Sequence, residues 1–251
     1  MVDKADLVGE WQAFSAEWIA RCETKADAAR EGLLDDWMLQ LVGDVEGLAV
    51  IDLGCGEGRF SRMLAARGAQ IVGVDLQPSF IAYATSKAGP REMYRVTDME
   101  SLDEIPDGAF DLAVSYISLV DVPDQAKATS EAFRVLSPGG RFLVCNLSPM
   151  ATASADPETW CRDEAGGLRH FVLDDYAREG PRRIVFSTGS EVTNYHRMLS
   201  TTVNDFLDAG FALTRIHEPI PTEAQLDRTP ENEHMLRVPP FTIYDLRKPP
   251  S

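Results

Sequence analysis

VIDLGCGEGRF, residues 50–60, is an apolar run that reaches Asp52 and then passes through Gly54, Gly56 and Gly58 into a helical pattern. Three glycines at that point let the backbone turn tightly and let a ligand approach the main chain without meeting a Cβ atom. A strand, a glycine turn and a helix start together predict a nucleotide-type ligand at a strand tip. The spacing narrows the prediction. Dinucleotide-binding turns read G-x-G-x-x-G and offer a helix N-terminus to a pyrophosphate, whereas this turn reads G-x-G-x-G with Asp52 in front of it. A carboxylate repels a pyrophosphate and favours an amino group or a sulfonium. The expected ligand is therefore cationic, which weighs against a nicotinamide dehydrogenase.

Outward from the turn, short apolar runs alternate with helical patterns through the first 150 residues, the signature of a parallel sheet wound by crossover helices. The strand-like runs are 48–53, 70–76, 93–98, 110–117 and 140–147, nearly all apolar, as strands covered on both faces must be. Helices are predicted over 59–68, closed by Gly68, over 78–89, opened by Pro78, and over 123–140, stopped by Pro138-Gly139-Gly140. Past 182 the pattern predicts a hairpin over 182–198 turning at Thr188-Gly189-Ser190, a helix over 200–210, and strands over 211–219 and 238–248.

The tips of the first strands carry acids. Asp75 ends the second strand, where a carboxylate can accept both hydroxyls of a ribose. Asp98 follows the third, within reach of an adenine amino group. Three acids at consecutive tips beside a glycine turn describe a nucleoside with a positive tail.

VIDLGCGEGRF, GVDLQPSFIAYA, VTDME, FDLAVSYISLVDVPD and RVLSPGGRFLV together resemble the class I S-adenosylmethionine-dependent methyltransferases, more closely the small-molecule and quinone-type branch. The resemblance covers about residues 45–147 in five ordered motifs and is weaker beyond 182. It implies a Rossmann-like α/β fold: a seven-stranded, mostly parallel sheet with helices on both faces and an antiparallel last strand. It also implies S-adenosyl-L-methionine as cofactor and S-adenosyl-L-homocysteine as product. Asp52, Gly54, Cys55 and Gly56 would hold the methionine part, and Asp75 the ribose. Leu76 would pack on the adenine, Asp98 and Met99 would bind its edge, and Tyr116 would line the floor near the methyl.

The flanks suggest an organisation in four parts: a helical cap over 1–45, the cofactor-binding core over 46–147, a lid and hairpin over the acceptor site at 148–198, and the rest of the sheet over 199–251. Irregular stretches as long as 148–182 are commonly lids. Trp11, Phe14 and Trp18 share one helix face, which serves either as core or as an aromatic cap on the cofactor. Arg30 could meet the cofactor carboxylate or simply lie on a solvated face.

Methyl transfer needs a base only when the acceptor must lose a proton. His196, on the second hairpin strand, is the leading candidate, followed by His170 in the lid, then Asp121 and Tyr116; a structural role for His196 competes on equal terms.

Composition bounds the rest. Asp+Glu 40 against Lys+Arg 24 leaves a formal charge of -16, no footprint for nucleic acid or anionic membranes. Cys22, Cys55, Cys145 and Cys161 show no metal-ligand spacing, so no metal is expected. Without a membrane span or an apolar leader the chain reads as cytoplasmic, a monomer or homodimer acting on a small, apolar or aromatic acceptor. Two alternatives remain open: a non-catalytic S-adenosylmethionine-binding subunit, and an enzyme of this fold with a non-methylating reaction.

Overall fold

The apolar runs alternate in where they point. In the strand Ala49–Leu53, Val50 enters one hydrophobic cluster while Ile51 and Leu53 enter another on the opposite face. Leu112 and Val114 part from Ala113 in the same way, as do Leu143 and Cys145 from Phe142 and Val144. A strand whose side chains alternate between two buried faces has to be apolar throughout.

The computed structural model describes residues 4–24, 27–154, 159–186 and 189–250. The chain opens with α1 (Lys4–Thr24), a π-helical turn at Arg30–Leu34 and α2 (Asp35–Val42). The winding follows: β1 (Ala49–Leu53), α3 (Arg59–Ala65), β2 (Gln70–Asp75), α4 (Pro78–Ser86), β3 (Glu92–Val96), β4 (Phe110–Tyr116), a 3-10 turn at Leu119–Asp121, α5 (Gln125–Val135) and β5 (Leu136–Leu147). Next come α6 (Pro149–Ala153), β6 (Trp160–Arg162), β7 (Leu168–Phe171), β8 (Gly180–Val185) and β9 (Glu191–His196). The chain closes with α7 (Leu199–Asp208), β10 (Ala212–His217), α8 (Glu223–Arg228), a 3-10 segment at Pro230–Leu236 and β11 (Phe241–Arg247).

The sheet has seven strands in the order β10-β11-β5-β4-β1-β2-β3. β1 to β5 pair in parallel, and β11 lies antiparallel to both β5 and β10. This is the Rossmann-like sheet expected from the sequence, with the last strand reversed. The order turns back between β1 and β4, and the crevice beyond the strand tips at such a switch point is where ligands bind in this architecture. Among the described residues no helix is long and apolar enough to cross a membrane.

Two details differ from the sequence reading. The helix expected over 123–140 ends at Val135, and β5 begins at Leu136; Pro138 pushes Ser137 out of helical geometry, so the chain extends before the glycines. Among the described residues the stretch 148–198 forms no single lid. α6 packs beside β9, β6 and β7 form one hairpin, and β8 and β9 a second. Thr188 of the expected turn lies outside the described residues, while Gly189 closes the turn by donating its N–H to the Phe186 carbonyl at 2.8 Å.

Candidate active site

The glycine turn consumes its own donors. The N–H groups of Gly54 and Cys55 both donate to the Val74 carbonyl (2.8 and 2.9 Å), that of Gly58 to the Cys55 carbonyl (3.0 Å), and that of Gly56 to Asp75 Oδ2 (2.9 Å). A phosphate would find none of these four free. Gly54 sits at φ 73°, and a Cβ there would lie 2.4 Å from Ser118 Cβ, so both the turn and the close approach of the next chain demand glycine. At Gly56, with φ 54°, a Cβ would meet open space.

Around the turn lies a cleft of about 1150 Å3, part of it open to solvent. Its floor is the strand tips. Asp52 is buried at the end of β1 and accepts the Ser61 hydroxyl at 2.6 Å; burial pushes its carboxyl up to about 7. Asp75 accepts two backbone N–H groups, from Gly56 and, at 2.8 Å, from Gln77, and burial raises it to about 6. Each of its oxygens keeps a lone pair for a hydroxyl. Glu57 is buried beside them, and its Oε1 has no hydrogen-bond partner among the described residues. An orphaned buried carboxylate oxygen in a cleft fits a cationic group and no anion.

The opposite wall is α1. Glu10 accepts the Thr193 N–H (2.8 Å) and hydroxyl (3.1 Å) from β9, Gln77 donates to the Val8 carbonyl at 3.1 Å, and the Tyr83 hydroxyl donates to Glu23 at 2.6 Å. Phe14 is fully buried and stacks on Phe186 with ring centroids 4.5 Å apart, while Trp11 meets Phe80 at 6.0 Å. So held, the helix presents Lys4, Leu7, Val8, Trp11 and Trp18 to the cleft. The aromatic stripe thus divides: Phe14 is core, and its two tryptophan neighbours line the cleft. Lys4 Nζ pairs with Asp98 at 2.5 Å and Glu100 at 2.6 Å, tying α1 to the wall beyond β3.

All of Asp52, Gly54, Cys55, Gly56, Asp75, Leu76, Asp98, Met99 and Tyr116 line this one cleft. Cys55 is buried and its thiol is held well above the usual range by that burial. Arg30 lines the cleft too, with its guanidinium 4.8 Å from the Trp18 ring centre and its Nε on Asp27 at 2.9 Å.

The histidines fall elsewhere. His196 is fully buried, with Nδ1 on the Thr152 hydroxyl (2.8 Å) and Nε2 on the Tyr176 carbonyl (2.9 Å). Both ring nitrogens are engaged outside the cleft, which corrects the expectation that it serves as base. His170 is exposed on β7 and does not line the cleft either. The hairpin that carries it packs against the 3-10 segment, where Trp160 faces His234 at 6.5 Å and Arg237 donates to the Leu168 and Arg169 carbonyls. Among the described residues none from 148–198 lines the cleft; β9 approaches it from behind Asp121 through Asn194, while the β6–β7 hairpin lies at the flank. Tyr116 does reach the cleft, but its hydroxyl donates to Asp35 at 3.0 Å, and burial with the Asp35 charge pushes its ionisation far up. It is a fixed donor rather than a base.

Sequence reasoning passed over Glu57, Lys4 and Asn194. Glu57 carried a signal, since it stands inside the glycine turn. The other two reach the site from α1 and β9 through contacts that no local pattern encodes.

Comparison with known proteins agrees with this geometry. Residues 51–144 match the family described as "Methyltransferase domain". The chain is 33% identical to an S-adenosylmethionine dependent methyltransferase from Mesorhizobium loti of known crystal structure, covering 84% of this chain and 94% of that one with a TM-score of 0.75. It is 31% identical over 116 residues to a ubiquinone biosynthesis O-methyltransferase of Alkalilimnicola ehrlichii, covering 45% of this chain and 47% of that protein. To a demethylmenaquinone methyltransferase of Thermus thermophilus it is 38% identical over 104 residues, 40% of this chain and 47% of that one. The chain thus spans about half the length of these two curated relatives. This protein belongs to the S-adenosylmethionine-dependent methyltransferases, and S-adenosylmethionine is its cofactor.

Proposed function

We propose that this methyltransferase acts on a small apolar or aromatic acceptor lying between the strand tips and α1. The observation that carries the reading is the polarity of the cleft: the turn's donors are consumed internally, while the acids Asp52, Glu57 and Asp75 line it. Bound there, the cofactor supplies an electrophilic methyl group on a sulfonium. Asp52 and Glu57 would face its positive tail, beside the main chain of Gly54, Cys55 and Gly56. Asp75 would accept the ribose hydroxyls, Leu76 would cover the adenine, and Asp98 with Met99 would take its edge. Tyr116 would brace the floor.

The chain's further task is to exclude water and align the acceptor. Leu7, Val8 and Trp11 from α1, with Val122 and Pro123 beyond β4, supply an apolar wall for that purpose. The quinone-pathway names of the two curated relatives also favour an aromatic ring. The charge of -16 argues for a small acceptor over a nucleic acid. Four free cysteines suit a reducing compartment such as the cytoplasm.

The test is a metabolite screen with S-adenosylmethionine labelled in its methyl group, read by mass spectrometry. A labelled small molecule is the expected outcome; label found only in nucleic acid or protein would overturn the reading.

A further inference from the structure

The turn after β4 borders the cleft with Ile117, Ser118 and Asp121. Ile117, a β-branched residue, stands there at φ 56°, in the left-handed region that such side chains avoid. The turn that follows is tied down at both ends. The Ser118 hydroxyl donates to the Leu53 carbonyl at 2.6 Å, the Val120 N–H donates to Asn146 Oδ1 at 3.1 Å, and Arg197 donates to the carbonyls of Val122 and Pro123. Between these anchors Asp121 lines the cleft. Asn194 of β9 donates its side-chain N–H to Oδ1, and Oδ2 has no hydrogen-bond partner among the described residues.

We propose that Asp121 is the proton acceptor for the methyl acceptor, with Asn194 as its positioning residue, and that the substrate class is a small molecule whose attacking oxygen or nitrogen carries a proton. The assignment rests on the methyltransferase reading above. In the step, the O–H or N–H bond of the acceptor breaks and its proton passes to Oδ2. The freed electron pair forms the bond to the methyl carbon as the carbon–sulfur bond breaks, its pair remaining on sulfur.

The electrostatics support a carboxylate that answers to the cofactor's charge. Burial first, then the negative charges of Asp75 at the tip of β2 and Glu10 on α1, push Asp121 up to about 8, against the pull of the Asn194 amide. Lys4, Asp98 and Glu100 line the same cleft, already paired with one another. A sulfonium in the cleft favours the ionised form and so prepares the base; loss of that charge on transfer lets the proton stay.

Calorimetry with S-adenosylmethionine and with S-adenosylhomocysteine, in buffers of different ionisation enthalpy near pH 7.5, reads this without an acceptor. Wild type is expected to release about half a proton more on binding the sulfonium than the thioether. Asp121→Asn should lose most of that difference, leaving only the smaller share of Asp52, whose carboxyl stands at about 7, while keeping S-adenosylhomocysteine affinity within about two-fold. An undiminished difference overturns the proposal, and so does an affinity loss above about ten-fold, which would place Asp121 in the cofactor site. Asn194→Ala, which deletes only the donor, should move the midpoint of the release to higher pH; an unmoved midpoint also overturns it. With the acceptor from the labelling screen, Asp121→Asn should lower kcat about 100-fold, leave KM nearly unchanged and abolish the rising limb of the pH profile. If no small molecule takes the label, the functional reading fails; if label transfers as fast in Asp121→Asn, the Asp121 assignment fails.

Discussion

The N-terminal helix and the 148–182 insertion both lie outside the wound sheet, and both are candidates from sequence for covering the cleft. Among the described residues only the helix lines it. α1 has a helical stripe that gives Phe14 a buried stack on Phe186 and leaves Trp11 and Trp18 for the cleft, and polar contacts to α4 and β9 tie down its length. The insertion has Trp160 as its large apolar anchor, and that ring lies with Phe171, His234 and Arg237 at the flank. Irregular chain becomes a lid only where some anchor holds it over the site. A periodic apolar face supplies such an anchor, whereas absence of period supplies none.

The contrast can be broken or sharpened by measuring S-adenosylhomocysteine binding in variants of the floor, the capping helix and the flank. The floor should be most sensitive: Asp75→Ala removes the acceptor for the ribose and leaves the Gly56 and Gln77 N–H groups unpaired, with an expected loss of about 100-fold in affinity by calorimetry. Unchanged affinity would remove the ribose assignment. Next comes the helix. Phe14→Ala empties a buried stack, which costs about 3–5 kcal/mol in comparable cores; ligand release in stopped flow should quicken about ten-fold, equivalent to about 1.4 kcal/mol of lost closure. An unchanged release rate would mean that α1 does not act as a cap. The flank should matter least, with Trp160→Ala lowering the melting temperature by about 2–4 °C per kcal/mol lost and leaving affinity within about two-fold. A larger loss of affinity would restore the insertion to the site.

His196 shows how near a sequence argument can come. The hairpin was expected to bring a side chain toward the cleft, and β9 does so with Asn194. His196 lies two residues on, one pleat further along the same face, where it meets Thr152 instead. The hairpin's existence follows from its alternation, but the residue that arrives at the site depends on where the strand docks. Asp121 ranked behind two histidines for a related reason: its burial and its amide partner arise only when segments 73 residues apart are packed together.

By itself the sequence determined the winding of the sheet, the glycine turn and the acids at the strand tips. These follow from backbone periodicity, turn chemistry and position along a strand, all local properties that survive without knowledge of neighbours. Only the tertiary structure decided that Lys4 pairs with Asp98, 94 residues away, that the histidines are withdrawn, that the β6–β7 hairpin lies at the flank, and that an orphaned Glu57 oxygen and a half-satisfied Asp121 share one cleft. Those outcomes depend on which distant surfaces pack against each other, and on how burial and neighbouring charge then act on each carboxylate.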